Sequence, residues 1–390
     1  MEHLVNNQVK NIQISGIRQF FNMVAHYPDA IQLTIGQPDF PTPAHIKVAG
    51  KKAIDENKTG YTKNAGLDEL CLAASQFVET KYGLSYNPKQ EVITTIGASQ
   101  GIDIAFRTIL EAGSEVILPG PVYPAYEPII KMCGAIPVYA DTRNTEFKMT
   151  PKQIERLITS KTRCVMLPYP SNPTGCILTK AELAEIAEVL SKRDIFVISD
   201  EIYSELVYGT EHCSIASFPG MKEKTIIING LSKSHSMTGW RVGFVFAPEN
   251  ITKHMLKVHQ YNVSCASAIS QWAAVQALTE GIDDAAGMRV EYEKRRDYVY
   301  DRLVSMGIDV VKPEGAFYLF PSIEKFGMSA NEFATRLLQE GKVACVPGSA
   351  FSSFGEGYLR LSYAYSMEIL EEGCNRLEKF LASLDVAAAR

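Results

Sequence analysis

Nothing in this chain calls for a metal, a disulfide framework or a membrane. Its eight cysteines are scattered over 390 residues, with no C-x-x-C pair and no Cys/His spacing that suits zinc. Several lie in apolar runs, Cys164 in RCVML and Cys345 in VACVP, and read as buried thiols in a reducing compartment. No apolar run reaches the roughly 18 residues of a membrane span. The first residues, MEHLVNNQVKNIQISGIRQ, lack the apolar core of a secretory signal, so a cytoplasmic location is expected. Positive charge is not in excess. Lys and Arg number 39 against 44 Asp and Glu, a net charge of −5, so neither nucleic acid nor an anionic membrane is an expected partner. Internal repeats and low-complexity linkers are absent. No G-x-G-x-x-G follows the first strand-like run, which disfavours a dinucleotide-dependent dehydrogenase.

What is present is an alternation of strand and helix. Seven apolar, β-branched runs read as strands: EVITTI (91–96), EVILPGP (115–121), AIPVYAD (135–141), RCVMLPYP (163–170), IFVISDE (195–201), TIIIN (225–229) and RVGFVFAP (241–248). Helical patterns separate several of them, GIDIAFRTIL (101–110) and a stretch near 179–193 among them. Continuous apolar runs of this kind suit a parallel sheet covered on both faces, an α/β fold. The chain ends differ. A helix-like segment and the turn TIGQPDFPTP fill 1–45, and a long charged helix, EYEKRRDYVYDRLVSM, opens an α+β pattern that runs to the end. The expected organisation is therefore a large domain over 46–285 and a smaller α+β domain built from 1–45 and 286–390. The large domain carries the mostly parallel seven-stranded sheet, with helices on both faces.

In open α/β sheets ligands lie beyond the carboxyl ends of the strands. After successive strands this sequence places GASQ, Tyr123, Asn172 in SNPTG, Asp200 and Tyr203 in SDEIY, and Ser232 with Lys233 in NGLSK. Each has a plain alternative. SNPTG is an ordinary Asn/Pro turn, Asp200 a helix cap, GASQ a tight connection and Lys233 a solvated loop residue. Their joint appearance in this order carries more weight than any one of them. A desolvated lysine attacks carbonyls, and a carboxylate keeps a heteroaromatic nitrogen protonated. A helix N-terminus binds phosphate. Arg241 adds a fixed positive charge. One cofactor needs an aldehyde-binding lysine, a carboxylate, a stacking ring and a phosphate cup together: pyridoxal 5′-phosphate.

The motifs GLSKSHSMTGWR, SNPTG, SDEIY and GASQ resemble those of the fold-type I, pyridoxal-phosphate-dependent class I/II aminotransferases. The resemblance runs from TIGQPDF to YLRLSYA. It implies that Lys233 bonds to the cofactor's aldehyde and later moves the proton, and that Asp200 partners the pyridine nitrogen. Tyr203 and Asn172 match the hydrogen-bonders of the phenolic oxygen, and Tyr123 the ring that stacks on the cofactor. Ala98, Ser99, Ser232 and Arg241 match the phosphate cup. Tyr61, in GYTKNAG, matches a tyrosine that reaches the partner subunit's phosphate, which implies a homodimer with shared sites. Arg360 matches the clamp on the substrate α-carboxylate, with Gly36 in the turn beside it and Asn172 also near the substrate. One departure is visible: Gly230 stands three residues before the lysine, where the family usually carries Ser or Thr. A lost hydrogen bond to a charged phosphate costs ~1.5–3 kcal/mol if nothing replaces it.

The resemblance therefore implies amino-group transfer between an L-amino acid and a 2-oxo acid, 2-oxoglutarate by family habit. GASQGIDIAFRTIL, LPYPSNPTG, SDEIYSEL and INGLSKSHSMTGWR are similar to the bacterial N-acetyl-L,L-diaminopimelate branch, in lysine and cell-wall precursor synthesis. A carbon–sulfur β-lyase on the same fold, an aspartate or aromatic amino acid aminotransferase, and a pyridoxal-phosphate-sensing regulator without turnover are the alternatives. His235 beside the lysine, Trp240 and the aromatics of AFYLF are expected to serve packing.

Overall fold

A computed structural model describes residues 1–388. Its strands, in chain order, are β1 (Ile31–Gln32), β2 (Val92–Ile96), β3 (Glu115–Gly120), β4 (Ile136–Asp141), β5 (Thr162–Leu167) and β6 (Phe196–Asp200), followed by β7 (Thr225–Gly230), β8 (Val242–Phe246), β9 (Tyr318–Leu319), β10 (Val343–Ala344), β11 (Val346–Pro347) and β12 (Leu359–Ser362). Seven of them form one sheet in the order β2-β8-β7-β6-β5-β3-β4. The pairings β4–β3–β5–β6–β7 are parallel, while β8 runs against both β7 and β2. All seven expected strands are present and the α/β class holds.

Alternation of side chains explains why these runs are apolar throughout. In β7, Ile226 and Ile228 enter one apolar cluster and Ile227 enters another on the opposite face. In β3, Val116 and Leu118 point one way and Ile117 the other. Helices cover both faces, so every residue of β7 is buried.

Three shorter pairings assemble the chain ends. β1 pairs in parallel with β10, with Ile31 opposite Val343, and β12 lies antiparallel between β11 and β9. A further apolar cluster joins Phe20, Val24 and Leu33 to Phe333, Leu337, Leu361 and Leu370. The long charged helix spans Ala285–Ser305, six residues longer at its start than EYEKRRDYVYDRLVSM.

The helix expected over 101–110 spans Gly97–Ile109 instead, so GASQ is its first turn and not a connection. Gly97 has φ +69°, which lets the backbone pass from strand to helix within one residue. Gln100 accepts the Ile96 N–H at 2.7 Å and ties the corner.

Candidate active site

The seven-stranded sheet presents one chemically distinct edge. The carboxyl ends of β2, β3, β5, β6 and β7 lie there, and because β8 is reversed, its amino end lies there too. Arg241, which precedes β8, therefore joins groups that follow the other strands. The result is a cleft of about 1210 Å³ lined by Gly36, Ala98, Ser99, Tyr123, Asn172, Asp200, Tyr203, Ser232, Lys233, Arg241 and Arg360. Of the residues matched to cofactor or substrate contacts, only Tyr61 stands apart. It is 92% exposed and does not line the cleft.

Lys233 sits in the short helix Leu231–Ser234 at the end of β7. Its Nζ donates to the Gly36 carbonyl at 2.5 Å and lies 5.7 Å from the Tyr203 ring centroid. Burial pushes its pKa down to about 8, helped by the positive charges of Arg360 and Arg241 and opposed by Asp200. At pH 7 roughly a tenth of the amine is then neutral, against well under a thousandth for an ordinary lysine. Its lowered pKa and its place in the cleft set it apart from a solvated loop lysine.

Asp200 ends β6. One carboxylate oxygen accepts the Tyr126 hydroxyl at 2.8 Å and the other accepts the Ile202 N–H at 3.2 Å. Burial pushes its pKa up to about 6 against those two hydrogen bonds. The helix-cap role expected as its plain alternative is absent: a turn, not a helix, follows β6, and the Ile202 contact closes that turn. A cationic ring nitrogen beside it would restore the carboxylate. Tyr126 is invisible from sequence because nothing in PAYEPII distinguishes its hydroxyl from a packing ring.

The phosphate cup expected from the sequence would rest on absent side chains. The N–H groups of Ala98 and Ser99 belong to the first turn of a helix and have no intrahelical acceptor. Gly97 has no Cβ, and one there would collide with the Arg241 guanidinium. A Cβ on Gly243 would sit 2.5 Å from the Ala98 nitrogen. Ser232 and Arg241 face this turn, and Arg241 Nη1 donates to Thr238 O at 2.9 Å. Helix N–H groups, a guanidinium and a hydroxyl around a bare glycine turn form an anion site. At Gly230 a Cβ would lie 2.9 Å from Val242 O and 3.0 Å from Gly243 Cα. Close approach of β8 therefore explains why no serine stands there.

Arg360 in β12 is 2% exposed, and no acid pairs with it among the described residues. Nη1 donates to Asn172 Oδ1 at 3.0 Å and Nη2 to Thr34 O at 2.6 Å, while Nε has no partner. The pairing with a nearby acid that an arginine in an apolar strand suggests is absent. A buried donor left unpaired costs about 1–3 kcal/mol, which an incoming carboxylate would recover. Tyr318 corrects the packing expectation for AFYLF: it lines the cleft, shares a 2.8 Å hydrogen bond with Tyr203 and lies 4.4 Å beneath the Arg360 guanidinium. His235 does serve structure. It is fully buried, held by Ser234 Oγ at 2.7 Å and Gly281 O at 2.9 Å. Trp240 donates to Thr42 Oγ1 at 3.1 Å and packs in an apolar cluster.

A nucleophilic lysine, a buried acid, an anion cup and an unpaired buried guanidinium on one sheet edge fit pyridoxal phosphate and an amino acid carboxylate. Comparisons with known proteins agree. The family described as aminotransferase class I and II matches residues 28–377. A probable N-acetyl-LL-diaminopimelate aminotransferase from Bacillus subtilis is 61% identical, covering 98% of this chain and 96% of the relative. An aspartate aminotransferase from Pyrococcus abyssi is 41% identical, covering 97% and 98%. The crystal structure of an aromatic aminotransferase from Pyrococcus horikoshii superposes with a TM-score of 0.89 at 41% identity, covering 94% of this chain and 99% of that one. No helix of the described residues is long and apolar enough to cross a membrane. The chain belongs to the class I and II aminotransferases, and it is a pyridoxal-phosphate-dependent enzyme of fold type I.

Proposed function

We propose that this aminotransferase takes the amino group of N-acetyl-L,L-diaminopimelate and passes it to 2-oxoglutarate in a ping-pong cycle, in lysine and cell-wall precursor synthesis. The observation that carries this reading is the 61% identity, along nearly the whole chain, to a relative of that printed function. Identity to the aspartate enzyme is lower, 41%. A donor screen tests the reading: N-acetyl-L,L-diaminopimelate should bleach the cofactor absorbance fastest, with aspartate and aromatic amino acids slower. Faster conversion by aspartate would reassign the substrate.

Roles follow from the site. When bound, pyridoxal phosphate supplies an aldehyde that takes up the amino group and a ring that spreads the electrons of the cleaved Cα–H bond. Lys233 would hold the cofactor through Nζ and, when free, would take the Cα proton as general base. Asp200, steadied by Tyr126, would keep the ring nitrogen protonated. Tyr203 and Asn172 would hydrogen-bond the phenolic oxygen, and Tyr123 would stack on the ring. Ala98, Ser99, Ser232 and Arg241 would hold the phosphate. Arg360 grips the α-carboxylate between Asn172 and the Gly36 turn. Arg360→Lys replaces a planar fork by a point charge and should lower kcat/KM about 100-fold. Steady-state kinetics check this, and a change within twofold would remove Arg360 from the role.

The enzyme acts as a cytoplasmic homodimer, with Tyr61 completing the partner's phosphate cup. Its near-complete exposure outside its own cleft supports that placement. Residues 46–285 form the large domain and 1–45 with 286–390 the small one. The pairing of Ile31 with Val343 and the apolar cluster shared by both ends support the division.

A further inference from the structure

The cleft holds one cation more than cofactor and α-carboxylate require. Its lining includes Arg18, Lys131, Lys233, Arg241 and Arg360, against the acids Glu127 and Asp200. Lys131 is already paired with Glu127, whose second oxygen accepts the Tyr139 hydroxyl at 2.5 Å. Lys233, Arg241, Arg360 and Asp200 are committed to the roles above. Arg18 remains, without an ion pair or a side-chain hydrogen bond among the described residues.

Arg18 is placed, not loose. It lies in the first turn of the helix Gly16–Val24. Gly16 lets that turn press on the wall of the cleft, since a Cβ there would sit 3.0 Å from Ala350 Cβ. The next residue on that wall, Phe351, lies 4.9 Å beneath the Arg360 guanidinium. Arg360 is buried in the cleft and Arg18 is exposed, and both line it. Two hydroxyls on the same wall are unengaged. Ser352 Oγ is buried without a partner, and Ser15 precedes the helix without making a side-chain cap.

We propose that Arg18 binds a second carboxylate at the far end of the amino donor, and so selects donors with an acidic distal group over neutral donors of equal length. The inference rests on Arg360 holding the α-carboxylate. In N-acetyl-L,L-diaminopimelate the distal carboxylate meets Arg18, and Ser15 and Ser352 offer hydroxyls to the acetamido group.

The test uses the holoenzyme and paired donors: L-2-aminopimelate against L-2-aminooctanoate, and N-acetyl-L,L-diaminopimelate against its distal methyl ester. The rate of cofactor bleaching gives kcat/KM for each. Arg18→Gln should lower the acidic-to-neutral ratio about 10-fold, the effect of one charge-assisted hydrogen bond at a solvated rim. Arg18→Glu should lower it further, and Arg18→Lys should keep most of it. A ratio unchanged in both Arg18→Gln and Arg18→Glu overturns the proposal, as does a wild-type enzyme with no preference for acidic donors. If the wild type ignores N-acetyl-L,L-diaminopimelate, the substrate reading fails, and the aminopimelate pair still decides for or against Arg18.

Discussion

Lys233→Ala is expected to lower the transamination rate by about 10⁴. A positioned general base contributes about 10²–10⁴ by itself. The substitution would also remove the amine proposed to hold the cofactor aldehyde. Nothing else in the cleft replaces it. His235 is locked between Ser234 and Gly281, and the Tyr203 hydroxyl has a pKa raised well above its ordinary value by burial. Lys131 is already held by Glu127. The fold should survive, because the side chain lines the cleft and its one hydrogen bond is to a single carbonyl. Half-reaction kinetics with the preferred donor, alongside an unchanged circular dichroism spectrum, check the expectation. A variant within tenfold of the wild-type rate would mean that some other base takes the Cα proton.

Asp200→Asn should be the next most damaging change. The carboxylate is buried, and in the proposed role it would compensate the positive charge of the cofactor's ring nitrogen. Removing one member of a buried, hydrogen-bonded charge pair costs about 3–5 kcal/mol, or roughly 10²–10⁴ in rate. The pH dependence has a definite sign. Burial raises the Asp200 pKa to about 6 in the cofactor-free protein, so the carboxylate forms as pH rises through that value. Cofactor affinity of the wild-type protein should therefore fall below about pH 6, whereas the Asp200→Asn variant should lack that fall. Titration of apoprotein with pyridoxal phosphate between pH 5 and pH 8 measures it. Equal curves for the two proteins would argue against the charge pair.

The scaffold is readable in the sequence because the central strands are buried on both faces and so are mostly apolar, although the edge strand β4 is only partly buried. Most of the site is readable too, since strand ends place their following residues on one edge whatever the loops do. The boundaries are less legible. GASQ reads as a connection because four small or polar residues carry no helical periodicity, and only the left-handed Gly97 shows why the helix starts there. Tyr126 and Tyr318 escape for a different reason. A tyrosine on an apolar face has the same pattern whether its hydroxyl meets Asp200, Tyr203 or nothing. Arg18 is equally silent. Its interest lies in having no partner among the described residues, a property of three-dimensional surroundings that no motif encodes. Gly230 looks like a weakness in the phosphate cup, yet the approach of β8 leaves no space there for a side chain.

The most direct measurement is chemical. Borohydride reduction of the pyridoxal-phosphate-loaded enzyme, followed by peptide mapping, should find a single pyridoxyl adduct on the peptide containing Lys233. An adduct on any other of the chain's lysines, or none on an enzyme that still transaminates, would contradict the account.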